Sequence, residues 1–133
     1  MKYLNTSGKR KRSIARAVIK PGKGVIKINN RLIDFYQPDI ARLRLQEPLI
    51  LAGDAVNKVD ITIKVFGGGI MSQAEAARLA MAKALVGFSK DKKLEKTFLD
   101  YDRHLLVADV RRKEVKKPNT HGKARSKRQK SYR

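Results

Sequence analysis

Gly67-Gly68-Gly69 lies between a β-branched run and an alanine-rich run. Phosphate-binding loops form at such junctions, because the backbone amides are open and the following helix presents its N-terminus. A nucleotide site needs more than this. No Gly-Lys-Ser/Thr follows, and Gly67-x-Gly69-x-x-Ser72 only approximates the dinucleotide fingerprint, in a chain too short for a full doubly wound domain. The plainer reading is that the glycines permit a tight turn and close backbone approach, with contact to an RNA phosphate lying between the two. Asp100-Tyr101-Asp102-Arg103-His104 is the one cluster that mixes carboxylates with a histidine, as metal or acid/base chemistry requires. It has no H-x-x-x-H spacing, and His121 falls far away in a basic stretch. A local ion pair between Asp102 and Arg103 at a turn is the simpler account. No G-x-S-x-G element occurs, so the sequence points to no catalysis, cofactor, metal or small-molecule substrate.

The remaining chemistry is cationic. Lys9-Arg10-Lys11-Arg12 forms one basic run, and eleven of the last 23 residues, from Arg111 onward, are Lys or Arg, with Glu114 the one acid among them. A charge run on an ordinary protein is usually just solvated. Two runs of one sign with almost no interleaved acid instead favour phosphate recognition. The candidate RNA-binding residues are therefore Lys9, Arg10, Lys11, Arg12, Arg16, Gly67, Gly68, Gly69, Arg111, Arg112, Lys113, Lys116, Lys117, Lys123, Arg125, Lys127 and Arg128. Tyr132 could stack on a base or be a plain terminal aromatic.

Composition agrees with a polyanionic partner. The 133 residues hold 32 Lys and Arg against 12 Asp and Glu, a formal charge of +20, which would make a free globule repel itself. A membrane surface would more typically be met by a basic amphipathic helix or a lipidation signal, and neither is visible. The absence of cysteine excludes disulfides, thiol catalysis and thiolate zinc sites. No apolar run reaches signal-peptide or membrane-span length, so a cytoplasmic location is expected.

The elements that must position these residues form an α/β (α+β) body expected over residues 1–110, followed by an extended basic tail over 111–133. From Lys11 to Ile19 the residues alternate, with Ser13, Ala15, Ala17 and Ile19 facing a core and Arg12, Arg16 and Lys20 facing RNA beside Ile14 and Val18. Pro21-Gly22-Lys23-Gly24 reads as a turn, so Val25 to Ile28 is expected to pair back as a hairpin. Asn29-Asn30 suits another turn. A helix is expected from Asp39 through Ile40, Leu43 and Leu45 until Pro48 interrupts or kinks it, with Leu49 to Ala52 continuing the buried side. Asp60 to Phe66 alternates as a strand. Ser72 to Phe88 reads as a helix with a Ser72/Glu75 capping box and an inner face of Ala77, Met81, Ala84, Leu85 and Phe88. Asp91 to Phe98 reads as a shorter helix. After Val110 only Val115, Ala124 and Tyr132 could be buried, too little to offset the entropy of ordering the segment alone. Fully extended at ~3.3 Å per residue, that tail reaches roughly 75 Å, far beyond the body.

At Gly67-Gly68-Gly69-Ile70-Met71-Ser72-Gln73-Ala74-Glu75-Ala76-Ala77-Arg78, followed by Ala82-Lys83-Ala84-Leu85, the sequence resembles the signature of the ninth small-subunit ribosomal protein family. Supporting pieces fall in family order. They are Ser7 to Ala17, Ile26-Lys27-Ile28-Asn29, Asp100-Tyr101-Asp102-Arg103, Glu114-Val115-Lys116-Lys117 and the terminal Gln129-Lys130-Ser131-Tyr132-Arg133, whose ending looks like the archaeal and eukaryotic branch rather than the bacterial one, the short N-terminus favouring archaeal. The resemblance implies a two-layer fold like the second domain of the fifth small-subunit protein. It also implies a place in the head of the subunit, on small-subunit ribosomal RNA and beside neighbouring head proteins. The tail would reach the peptidyl-site tRNA, with Arg133 at the anticodon stem-loop backbone and Lys130 and Tyr132 close by. A free-standing architectural nucleic-acid binder and a small nuclease or nucleotide-dependent enzyme are the competing classes.

Overall fold

The computed structural model describes residues 2–126. A five-stranded sheet is formed by β1 (Leu4–Arg10), β2 (Ser13–Pro21), β3 (Ile26–Ile28), β4 (Arg31–Leu32) and β5 (Val59–Phe66), in the order β1-β2-β5-β3-β4. Three α-helices, α1 (Asp39–Ala52), α2 (Ile70–Ser89) and α3 (Lys92–Tyr101), and three short 3-10 segments, Ile33–Phe35, Gly53–Lys58 and Arg103–Leu105, are the other regular elements described. Helix α2 packs on β1, β2 and β5, and α1 and α3 flank it. The result is two layers, with one face of the sheet covered by helices.

Alternation places the core where one face of each strand must be dry. Ser13, Ala15, Ala17 and Ile19 of β2 are buried, as are Val59, Ile61, Ile63 and Val65 of β5 and Ile26 and Ile28 of β3. Against them lie Ala74, Ala77, Met81, Ala84 and Leu85 of α2, Leu94 and Phe98 of α3, and Ala41 and Leu45 of α1. The alanines of α2 let the helix axis approach the sheet closely, and β1 answers with Gly8. A Cβ there would overlap the Ala76 carbonyl and crowd the Ala80 amide.

The strand order corrects one expectation. Val25 to Ile28 does not form a hairpin with β2, because β5 lies between them, antiparallel to β2 and parallel to β3. Pro21 to Gly24 instead folds onto the start of β5. Gly22 N donates to Lys58 O and Gly24 N to Val59 O, and the Asp60 carboxylate accepts from the Lys23 and Val25 amides. These bonds hold the Asp60 carboxyl below its ordinary range. The hairpin in this region joins β1 to β2 through Lys11 and Arg12, with Arg10 opposite Ser13. Leu4–Arg10 carries little hydrophobic signal because its inward positions include Thr6, whose hydroxyl donates to Ala80 O at 2.7 Å, and the glycine at 8.

Asn29 and Asn30 form the expected turn, both in the left-handed region that asparagine tolerates. The Asn29 side chain also bonds both backbone groups of Val65, extending the β3–β5 ladder. Helix α1 runs through Pro48 without interruption and buries that proline, while Ile40, Leu43 and Ile50 point outward. Helix α2 begins at Ile70 with Gly69 as its N-cap and no side-chain cap bond, so the expected Ser72/Glu75 box does not form. Asp91 caps α3 by accepting from the Lys93 amide. From Leu106 to Ser126 there is no helix or strand. No helix among the described residues is long and apolar enough to cross a membrane.

Candidate nucleic-acid interface

The turn between β1 and β2 puts Lys11 and Arg12 at its exposed tip, Lys11 with a φ of 52°. The triple-glycine loop lies directly over this turn. Gly67 and Gly68 have φ values of 77° and 64°, which side-chain-bearing residues rarely adopt. A Cβ on Gly67 would stand 2.7 Å from the Arg12 carbonyl oxygen, and one on Gly68 would overlap the Ser13 hydroxyl. Ser13 Oγ and Gln73 Nε2 donate to the Gly67 carbonyl at 2.9 and 3.0 Å, fixing turn, loop and helix start together.

An open groove of about 600 Å³ results. Arg10, Lys11 and Arg12 line it from the hairpin, Gly68, Gly69 and Ser72 from the helix start, and Arg111, Arg112 and Lys113 from the C-terminal segment. Both basic runs thus meet at the N-terminus of α2. That terminus has no acid in its first turn and no side-chain cap, so its dipole adds positive potential to the same groove.

Carboxylates tie the C-terminal segment to the hairpin. Arg10 Nε donates to Glu75 at 2.9 Å, and Arg10 Nη1 meets Asp109 at 3.3 Å, an ion-pair approach rather than an aligned hydrogen bond. Asp109 in turn accepts from the Arg111 guanidinium and amide. Those hydrogen bonds, together with the Arg10 charge, keep the Asp109 carboxyl far below the usual carboxylate range, and the Asp109 carboxylate in turn raises the pKa of Arg111. The Arg112 guanidinium bonds the Asp109 and Arg111 carbonyls. Arg10 is consequently engaged, its side chain 14% exposed, and serves the groove by anchoring its wall.

Lys9, Lys11, Arg12 and Lys113 form no ion pair among the described residues and leave their charge available for phosphate. Lys116 and Lys123 are likewise unpaired there, whereas Lys117 and Arg125 both meet Glu114, at 3.1 and 2.9 Å. A bond from Lys117 N to Lys123 O and the Thr120 hydroxyl bonded to Lys117 O draw residues 117–123 into a small loop. Lys127, Arg128, Lys130, Tyr132 and Arg133 lie outside the described residues.

Arg16 does not join the groove. It stands on the uncovered face of the sheet, opposite Lys64, with its guanidinium carbon 5.8 Å from the Phe66 ring centroid. Lys64 was not singled out from the sequence, although alternation placed it on the same side as Phe66.

Comparison with known proteins shows which family the chain belongs to. Residues 8–133 match the family model described as ribosomal protein S9/S16. The chain is 47% identical over 133 residues to the small ribosomal subunit protein uS9 of Methanothrix thermoacetophila, each chain covered completely. It is 48% identical over 134 residues to the uS9 of Methanococcus maripaludis, again with both fully covered. The chain belongs to the ribosomal protein S9/S16 family. Membership makes it a structural constituent of the small ribosomal subunit rather than an enzyme, of archaeal type, working on cytoplasmic ribosomes.

In this S9/S16 protein the Asp100 to His104 cluster has a structural task. Asp102 does not pair with Arg103. Its Oδ2 accepts from both terminal nitrogens of Arg78 at 3.0 Å, and its Oδ1 caps the His104 amide at 2.9 Å. Desolvation pushes the Asp102 carboxyl upward, but the His104 amide and the Arg78 charge outweigh it, leaving a net lowering. Arg78, buried within α2, also meets Glu47 of α1. One guanidinium of α2 therefore links α1 and the residue that follows the end of α3. Among the described residues no group of His, Asp and Glu could hold a metal ion.

Proposed function

We propose that residues 1–110 form a body that docks on folded ribosomal RNA in the head of the small subunit, and that residues 111–133 form a tail that threads between RNA helices. Cations on the tail neutralise phosphates that would otherwise repel as helices pack. The convergence of both basic runs on one groove at the start of α2 is the observation that supports this reading. It gives the tail a fixed departure point beside the body's own phosphate-facing cations.

The tip is proposed to add a sequence-independent hold on peptidyl-site tRNA through Arg133, with Lys130 and Tyr132 alongside. Such contacts position and do not specify, since phosphate carries no base identity. If about eight tail cations touch phosphate, log affinity for head RNA falls against log salt with a slope near −6 to −7, at ~0.7 to 0.9 per phosphate. Removing residues 111–133 should flatten that slope, and an unchanged slope rejects the tail as the main electrostatic contact. Arg133→Ala should weaken tRNA retention in the peptidyl site while assembly proceeds; equal retention defeats the tRNA assignment.

A further inference from the structure

One part of this cationic molecule combines a local excess of acid with exposed apolar side chains. Between residues 33 and 57 there are four carboxylates, Asp34, Asp39, Glu47 and Asp54, against two arginines. Those arginines are already paired, Arg42 with Asp39 and Arg44 with Glu47. Asp34 and Asp54 have no ion pair among the described residues. On the outer side of α1, opposite the buried Ala41 and Leu45, stand Leu43 at 60% exposure and Ile50 at 76%, with Ile40 at 63% and Phe35 at 69% nearby in sequence. A groove of about 400 Å³ runs beside Ile50, lined by Ile33, Leu49 and Val56 with Asp34, and among the described residues no Lys or Arg lines it. Each of the other four clefts described has at least one cation in its wall.

RNA is a poor occupant for such a surface. Phosphates would meet the unpaired carboxylates of Asp34 and Asp54, and the aliphatic side chains at the centre, Leu43 and Ile50, give no stacking or hydrogen-bonding contact to bases. Apolar side chains at the centre with charge at the edge is instead the anatomy of a protein interface. The carboxylate edge selects a partner of opposite sign. A second copy of this chain is opposed by its own +20 charge.

We propose that the outer face of α1, with Leu43 and Ile50 at its centre, docks a basic protein segment that inserts apolar side chains into the adjacent groove. The inference rests on the chain working inside the small subunit and is independent of the tail and its tRNA contact.

The test places a photo-crosslinking amino acid at position 50 of the full chain, assembles it into small subunits, and identifies the adducts after irradiation. An adduct with one protein of net positive charge is expected. The Leu43→Glu/Ile50→Glu variant should then hold that protein about tenfold or more less tightly, the loss of two central anchors, while its affinity for head RNA stays within about twofold of wild type. Adducts to ribosomal RNA, to a second copy of this chain or to an acidic protein would overturn the proposal, as would no adduct at all. Unchanged retention of the partner, or an equal loss of RNA affinity, would also overturn it. The crosslink replaces one exposed residue, so it decides the question even where the double variant folds poorly. The RNA salt slope of the truncated chain is read separately, so failure of the tail assignment is distinguishable.

Discussion

Arg10 of β1 and Asp109 of the C-terminal segment meet at 3.3 Å, and this pair fixes where the chain leaves the body. Glu75 holds the same guanidinium from α2, so hairpin, helix and segment share one cation. Lys11, Arg12, Arg112 and Lys113 are thereby gathered on one groove instead of being spread over the surface.

The pair should show itself in pH dependence. A carboxyl whose pKa in the fold lies below its unfolded value of about 3.9 stabilises the fold fully above that value, and loses the contribution as pH falls through the folded pKa. The Asp109 carboxyl is lowered in this way by Arg111 and Arg10. Asp109→Asn should therefore have a lower urea midpoint than wild type at pH 7, and the two midpoints should converge in strong acid. Hydrogen exchange at residues 110 to 113 should also quicken in the variant at pH 7.

Gly8 and Gly68 should resist alanine for different reasons. At Gly8 the added methyl drives β1 off α2, at a cost of about 1–3 kcal/mol. At Gly68 a positive φ and the Ser13 hydroxyl act together, at roughly 1–2 kcal/mol or more. Gly69 has open space around its Cβ position and a negative φ, so Gly69→Ala should lose less than about 1 kcal/mol. Urea unfolding of the three variants checks the ranking.

Arg78 should be more costly to remove than any surface cation. Arg78→Met leaves Glu47 and Asp102 facing each other without a counter-charge. Breaking a fully buried pair costs about 3–5 kcal/mol, and since these carboxylates keep 22% and 31% side-chain exposure, about 2–3 kcal/mol is expected after solvent screening. Arg78→Lys should recover part of it, since one ammonium cannot reproduce two guanidinium bonds to Asp102. Equilibrium denaturation of both variants decides.

Some of this architecture was readable from the sequence, and some was not. Strands β2 and β5 declared themselves because each has one dry face and one wet face, which forces alternation at Ala15, Ala17, Ile19 and at Ile61, Ile63, Val65. Strand β1 was silent because its contact with α2 is made by Gly8 and a threonine hydroxyl. The position of β5 between β2 and β3 is a non-local choice that no turn residue at Pro21–Gly24 encodes. The outer face of α1 was equally hidden, since Ile40, Leu43 and Leu45 read as one apolar helix although only Leu45 is buried. In the interface, the two basic runs stood out by charge alone. That Arg10 is spent on Glu75 and Asp109 depends on partners brought in by the fold, 65 residues away in the case of Glu75.

The central claim is that hairpin and tail root act as one phosphate-binding surface. The direct measurement is the salt dependence of binding to small-subunit head RNA for wild type, Lys11→Ala/Arg12→Ala, Arg112→Ala/Lys113→Ala and the four-fold variant. Each pair should reduce the magnitude of the slope by about 1.4–1.8, at ~0.7 to 0.9 per phosphate, and the four-fold variant should lose both shares. A slope unchanged by either pair would contradict the account, because the groove would then not be where RNA is held.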